Sequence, residues 1–112
     1  MKLQLKEQKI PKTINFKLNG KEFCVGEYRI LKNIFAKMRG LMFRSRKFNT
    51  PLLFVFSRPG IYAIHSFFCR KFIAVWMLDE KVIDVKIVTP YKFSVTPEKK
   101  FNLLLEVPLQ KV

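Results

Sequence analysis

The alternation of apolar and polar positions is clearest in residues 14–25, which read Ile-Asn-Phe-Lys-Leu-Asn-Gly-Lys-Glu-Phe-Cys-Val. A period of two is typical of β-strands with one buried face. Asn19-Gly20 at the centre favours a two-residue type I′ turn, because both turn residues adopt positive φ. Pairing across this turn predicts apolar contacts on one face and an ion pair on the other. The predicted pairs are Phe16 with Phe23, Ile14 with Val25, and Lys17 with Glu22.

The period changes after Tyr28, where apolar residues recur at spacings of three and four. They are Leu31, Ile34, Phe35, Met38 and Leu41. This spacing predicts a short amphipathic helix that begins at Arg29. We expect it to end near Gly40, because glycine adopts the left-handed conformation of a helix C-terminus without steric cost.

Runs of β-forming residues predict the remaining elements. The predicted strands are 52–56, 61–64, 72–78, 82–88 and 101–107, with a turn at 57–60, a hairpin turn at Asp79-Glu80, and a single helical turn or loop at 66–70. Residues 1–11 are expected to form an edge strand or a frayed leader. The chain is therefore predicted to be one mainly β domain, residues 1–112. Its expected architecture is a compact antiparallel β-sandwich or barrel of about seven short strands with one or two short helices.

Charge adds a second kind of signal to this pattern. The 112 residues carry a net charge of +14, with an isoelectric point near 10.1, so the field of the protein attracts anions. The stretch from Tyr28 to Leu78 contains no acidic residue, yet it holds every arginine of the chain. The arginines are Arg29, Arg39, Arg44, Arg46, Arg58 and Arg70. Forked guanidinium groups are suited to two-point binding of phosphate or carboxylate.

Cysteine usage and hydropathy favour a cytoplasmic protein. Cys24 and Cys69 are too few for a disulfide scaffold, and the N-terminal residues lack the apolar run of a signal peptide. No apolar run approaches the roughly 20 residues that cross a bilayer. Cys24, His65 and Cys69 lack the paired spacing of a zinc site, so neither a metal nor a cofactor is expected.

Four phrases in order along the chain resemble the family called domain of unknown function 192. They are Gly40-Leu-Met-Phe-Arg44, Leu53-Phe-Val-Phe56, Ile64-His-Ser-Phe-Phe-Cys-Arg70 and Leu105-Glu106-Val107. The resemblance covers about positions 30 to 107. It implies a compact, mostly antiparallel β domain with short helices, and it implies no established activity.

Three positions depart from the pattern of that family. Cys69 stands where the family usually has methionine, Phe72 where it has proline, and Ala74 where it has aspartate. If that aspartate acts as a base or ligand in relatives, this chain lacks it. The departure at Ala74 therefore favours a binding role over a chemistry shared across the family.

The arginine-rich stretch predicts a non-catalytic binding module with an anion-accepting face. The candidate ligand-binding residues are Arg39, Arg44, His65, Ser66 and Arg70. We expect Arg39, Arg44 and Arg70 to converge beside His65, because arginines retained only for solubility would be scattered. The expected partner is an anionic ligand or a phosphate-bearing molecule; its identity and the oligomeric state of the protein stay open.

Two other functions remain open. Residues 39–48 interleave basic and aromatic side chains, an arrangement that suits RNA or DNA binding. Alternatively, His65 and Cys69 at four-residue spacing, with Ser66 nearby, form a base and a candidate reactive thiol for an enzyme. No carboxylate that could orient His65 lies nearby in the sequence, which favours binding over catalysis.

Overall fold

The computed structural model describes residues 10–32, 50–63, 71–89 and 95–109. These ranges contain seven strands: β1 (Ile14–Leu18), β2 (Lys21–Val25), β3 (Arg29–Lys32), β4 (Leu52–Gly60), β5 (Phe72–Leu78), β6 (Lys81–Val88) and β7 (Phe101–Pro108). The prediction of a mainly β protein is confirmed. In these ranges there is no helix long and apolar enough to cross a membrane.

Strands β1 and β2 form the predicted hairpin in the predicted register. Phe16 pairs with Phe23 and Lys17 with Glu22, and the two phenylalanine rings stack with centroids 5.0 Å apart. The turn residues Asn19 and Gly20 have φ of 53° and 80°, as the type I′ turn requires. Local sequence alone therefore specifies this element.

The other five strands form one sheet in the order β3-β4-β7-β5-β6. The predicted hairpin at Asp79-Glu80 is confirmed as β5 and β6, and β5 also pairs with β7, the central strand of the sheet. Strands β3 and β6 are the two edges among the described residues, so the sheet is open and the barrel alternative is wrong. The expected antiparallel pairing holds for four of the five described strand pairs, and the exception is the parallel pair of β3 and β4.

Each face of the five-stranded sheet carries its own apolar cluster. On one face the β1–β2 hairpin contributes Ile14 and Phe16, which pack with Leu53 and Val75. On the opposite face the buried side chains include Phe54, Phe72, Trp76, Phe101 and Leu104, and Tyr62 packs against them. Strand β7 is buried on both faces because it is central in the sheet.

The predicted helix that begins at Arg29 is wrong over its first turn. Residues Arg29–Lys32 form strand β3, which pairs in parallel with Leu52 to Val55 of β4. Four residues of mixed polarity fit a helix and an edge strand equally well, and the partner strand decides between them. The other residues for which a helix or helical turn was predicted, 33–41 and 66–70, lie outside the described residues.

The predicted turn at 57–60 is also wrong, because β4 continues through these residues to Gly60. The register with β7 shifts between Val55 and Gly60, which is where Pro59 lies. Pairing with β3 stops at Val55, so beyond this point no described strand lies on that side of β4. Proline is tolerated in such a position because no ladder partner needs its missing N–H.

Candidate functional site

A group of polar side chains surrounds Ala74 on the face of the sheet that carries Trp76. Ala74 is the Cα partner of Glu106 in β7 and of Lys86 in β6. Two residues further along β5, Trp76 is opposite Asp84. Side chains of directly opposed residues share a face, so these groups lie on one side of the sheet. We call Trp76, Asp84, Lys86 and Glu106 the Glu106 cluster.

Glu106 is a fully buried carboxyl group in the central strand. Neither of its oxygens has a hydrogen-bond partner among the described residues. Burial removes water from the charged form and raises the pKa of Glu106 from 4.5 to about 8. At neutral pH this side chain is therefore mostly an uncharged carboxylic acid within an apolar layer.

Trp76 is the largest fully buried side chain beside Glu106. Its indole makes an edge contact with Phe101, with ring centroids 6.4 Å apart. Its Nε1 is buried and has no acceptor among the described residues. The interior of this face therefore holds an unpaired donor as well as an unpaired carboxyl group.

Asp84 and Lys86 form the more exposed side of the cluster. The Lys86 ammonium lies 3.9 Å from Asp84 Oδ2, 5.7 Å from the centroid of the Trp76 ring, and donates to the Thr96 carbonyl oxygen at 2.8 Å. Asp84 Oδ1 accepts from the backbone N–H of Val85 at 2.9 Å. Asp84 Oδ2 is buried without a hydrogen-bond partner in the part of the chain that the structure describes.

Four buried polar atoms of the cluster have no hydrogen-bond partner among the described residues. Three are oxygens, Oδ2 of Asp84 and both carboxyl oxygens of Glu106, and the fourth is the Trp76 N–H. Buried polar atoms in proteins are nearly always hydrogen-bonded, and an unpaired one calls for an explanation. No group of three His, Cys, Asp or Glu side chains suited to a metal occurs in the described ranges.

The residues predicted to bind an anion fall outside the described residues. This holds for Arg39, Arg44, His65, Ser66 and Arg70, and equally for Cys69 and the whole basic-aromatic segment 39–48. Their predicted convergence stays a prediction. Of the positions singled out from the sequence, Ala74 lies in the cluster, where it is fully buried, and Cys24 is an exposed free thiol on β2.

Sequence reasoning missed Glu106 and Trp76 as members of a site. A signal for Glu106 was present, because it follows the apolar run Leu103-Leu-Leu105. A strand with an uninterrupted apolar run is typical of one buried on both faces. A glutamate at the end of such a run is therefore expected to be buried as well.

Two solved structures have a similar fold. One is a protein of unknown function from Novosphingobium aromaticivorans DSM 12444, with a TM-score of 0.62, 12% identity, and coverage of 85% of this chain and 71% of that chain. The other is a protein provisionally described as a transcription regulator from Sinorhizobium meliloti 1021, with a TM-score of 0.63, 11% identity, and coverage of 85% and 77%. No protein-family model and no curated protein matches this sequence. At these identities the likeness establishes the fold alone.

Proposed function

We propose that this protein is a non-catalytic β-domain binding module that accepts an anionic ligand through Arg39, Arg44 and Arg70, beside His65 and Ser66. The observation that carries the proposal is the confinement of all six arginines to the acid-free stretch from Tyr28 to Leu78. Clustered guanidinium groups without acidic neighbours favour a ligand that supplies the missing negative charge.

The two described arginines support this proposal. Arg29 and Arg58 are exposed, and neither guanidinium forms an ion pair within the described residues, where the two salt bridges use Lys17 and Lys86. Glu106 is a carboxyl group that could form an ion pair with an arginine. It is buried, and it has no hydrogen-bond partner among the described residues. The positive charge of these arginines is thus not compensated by the described carboxylates.

The experiment is calorimetric titration with inorganic phosphate. The test variant carries Arg39→Gln, Arg44→Gln and Arg70→Gln. The matched control carries Lys12→Gln, Lys17→Gln and Lys21→Gln, three exposed lysines around the β1–β2 hairpin, so both variants lose the same net charge. We expect the arginine variant to lose binding by about tenfold or more, and the lysine variant to bind nearly as the parent protein does.

Equal weakening in both variants would contradict the proposal, because it would mean that phosphate responds to overall charge alone. Absence of phosphate binding to the parent protein would contradict it as well. A loss confined to the arginine variant supports it, since long-range attraction is the same in the two variants.

Nucleic-acid binding is the second candidate function, and it rests on the basic-aromatic segment 39–48. The Sinorhizobium protein, which has a similar fold, is provisionally described as a transcription regulator, and that description is compatible with nucleic-acid binding. Binding to a single-stranded oligonucleotide is expected to weaken steeply with salt if several phosphates are contacted. A shallow dependence of oligonucleotide binding on salt, together with tight binding of phosphate, favours a small anionic ligand over a nucleic acid.

A thiol-dependent enzyme centred on His65 and Cys69 is distinguished by thiol reactivity. Cys24 is exposed and free, so the measurement uses a Cys24→Ser variant, in which Cys69 is the remaining cysteine. Slow modification near neutral pH favours the binding module, because a catalytic thiol is reactive as a thiolate. Rapid modification favours the enzyme.

We also propose that the chain is related to the domain of unknown function 192 family. The support is the ordered set of phrases from Gly40 to Val107. An alignment of homologous sequences would test this relationship: a shared histidine at position 65 and glutamate at position 106 is expected.

A further inference from the structure

We propose that strand β6 is an interaction surface for a second copy of this chain. The two β6 strands would pair antiparallel, with Val85 of one copy opposite Val85 of the other. A twofold axis would relate the two molecules, and their five-stranded sheets would join edge to edge. This inference uses only described residues and does not depend on the anion site proposed above.

The sequence of β6 is complementary to itself when it is reversed. Residues 82–88 read Val-Ile-Asp-Val-Lys-Ile-Val, which is the same in both directions except that Asp84 and Lys86 change places. In an antiparallel pair centred on Val85, each position therefore meets an identical residue or the opposite charge. Opposite charges placed directly across a strand pair stabilise it. A twofold-symmetric interface requires a surface that is complementary to itself in this way.

The two charges also distinguish this register from its neighbours. A pair centred on Lys86 would place two ammonium groups opposite each other, and a pair centred on Asp84 would oppose two carboxylates. Like charges in this position are destabilising. Registers centred between Val85 and either neighbour would place each charge opposite an apolar residue. Centring on Val85 is the arrangement that forms two pairs of opposite charge.

The outer edge of β6 is accessible. This strand is an edge of the five-stranded sheet among the described residues. The neighbouring strand β5 is buried along nearly its whole length, whereas the residues from Val82 to Lys86 are only half-buried. Ile87 is 41% exposed. An accessible strand edge with apolar residues is the kind of surface to which a strand of another chain adds.

The backbone N–H of Val85 is occupied by a side chain in place of a strand. It donates to Asp84 Oδ1 at 2.9 Å. On association this N–H would donate to the carbonyl oxygen of Val85 in the second copy, and the Asp84 carboxylate would be released to contact Lys86 of that copy. In the single chain Asp84 Oδ2 lies 3.9 Å from the Lys86 ammonium. Pairing would therefore exchange this ion pair for two between the copies.

The interface is expected to be small and the dimer weak. The ladder with β5 shifts between Trp76 and Met77, so the regular part of β6 runs from Asp84 to Val88. The net charge of +14 on each copy opposes association at low salt. We expect a dissociation constant of about 10 µM or weaker, because one pair of short strands buries less area than a standard interface. Dilute protein is then a monomer.

The experiment is sedimentation velocity of the full-length protein over a range of concentrations. A reducing agent prevents cross-linking through the exposed Cys24 thiol, and salt at about 0.15 M screens the net charge. The test variants are Asp84→Lys and Lys86→Asp, each alone and in an equal mixture. The matched controls are Glu98→Lys and Lys99→Asp, which make the same changes in charge at exposed positions.

We expect the parent protein and both controls to dimerise as concentration rises. Each test variant alone should associate about tenfold more weakly or worse, because two opposed pairs change from attraction to repulsion. Their mixture should form a heterodimer with nearly the affinity of the parent. In that heterodimer the introduced lysine lies opposite the introduced aspartate, and the native Lys86 opposite the native Asp84.

Ile87→Asp tests the same edge without altering the charge pair, and it decides the matter if circular dichroism shows that a charge variant is not folded. Ile87 is exposed, so the folded chain tolerates the change, while a charged side chain on the edge opposes pairing. This variant should be monomeric, although it carries less of the net charge that opposes association. A monomeric parent protein, a dimer that persists in Ile87→Asp, or a mixture of folded charge variants that fails to associate would overturn the proposal.

Discussion

Ala74 and Glu106 face each other across the β5–β7 ladder, so a methyl group lies beside a buried carboxyl group that has no hydrogen-bond partner among the described residues. An aspartate at position 74 would place two carboxyl groups next to each other in the centre of the sheet.

Introducing an acidic residue at position 74 is expected to destabilise the protein. Ala74→Asp would bury a second carboxyl group against Glu106, and we expect a loss of about 3 kcal/mol in the free energy of unfolding at pH 7. Urea denaturation measures this loss. Ile87→Asp, which introduces the same residue at an exposed position of the edge strand β6, should cost less than about 1 kcal/mol. Similar losses in the two variants would contradict the described pairing.

The raised pKa of Glu106 predicts how stability changes with pH. In the unfolded chain this carboxyl ionises near 4.5, and in the folded protein near 8. Between these values the folded state holds one proton more than the unfolded state, so this group favours folding less as pH rises. The loss is on the order of 1 kcal/mol for each pH unit within the window.

The Glu106→Gln variant separates this contribution from those of other groups. Glutamine is uncharged at every pH in this range. The free energy of unfolding of the variant, relative to that of the parent protein, should therefore increase from pH 5 to pH 8. Urea denaturation of both proteins at intervals of one pH unit measures this difference. Parallel stability curves for the two proteins would mean that Glu106 does not have a raised pKa.

Elements with a complete local signal were predicted correctly from the sequence. The β1–β2 hairpin needs only alternation and an Asn-Gly turn, and β5–β6 needs two β-forming runs joined at Asp79-Glu80. Strand β3 was mistaken for a helix because its partner β4 begins 20 residues later in the chain. Information about parallel pairing lies between distant segments and is absent from either one alone.

The same limit applies to the site. The apolar run before Glu106 indicates that this residue is buried, but the central place of β7 in the sheet, and therefore the neighbours of Glu106, cannot be read from the local sequence. Asp84 and Lys86 join it only through the ladder of β5 and β6. The arginine stretch, by contrast, is visible in the sequence itself, which is why an anion site was predicted and the Glu106 cluster was not.

The hairpin turn offers a direct test of backbone conformation. Gly20 has φ of 80° and open space around the position of a Cβ atom, so Gly20→Ala is expected to destabilise the protein through strain alone, by about 1–2 kcal/mol. At Gly26 an added Cβ would lie at an ordinary 3.8 Å from Thr13. The control Gly26→Ala should therefore change thermal stability by less than about 0.5 kcal/mol. Equal effects would contradict the type I′ turn.

The most direct test of the proposed function uses His65, the only histidine of the chain. Its ring gives one set of NMR signals that can be followed as inorganic phosphate is added at constant pH and ionic strength. We expect a saturable change in these signals in the parent protein, and its loss when Arg39, Arg44 and Arg70 are replaced by glutamine. Signals that do not respond to phosphate, or that respond equally in the arginine variant, would contradict an anion site beside His65.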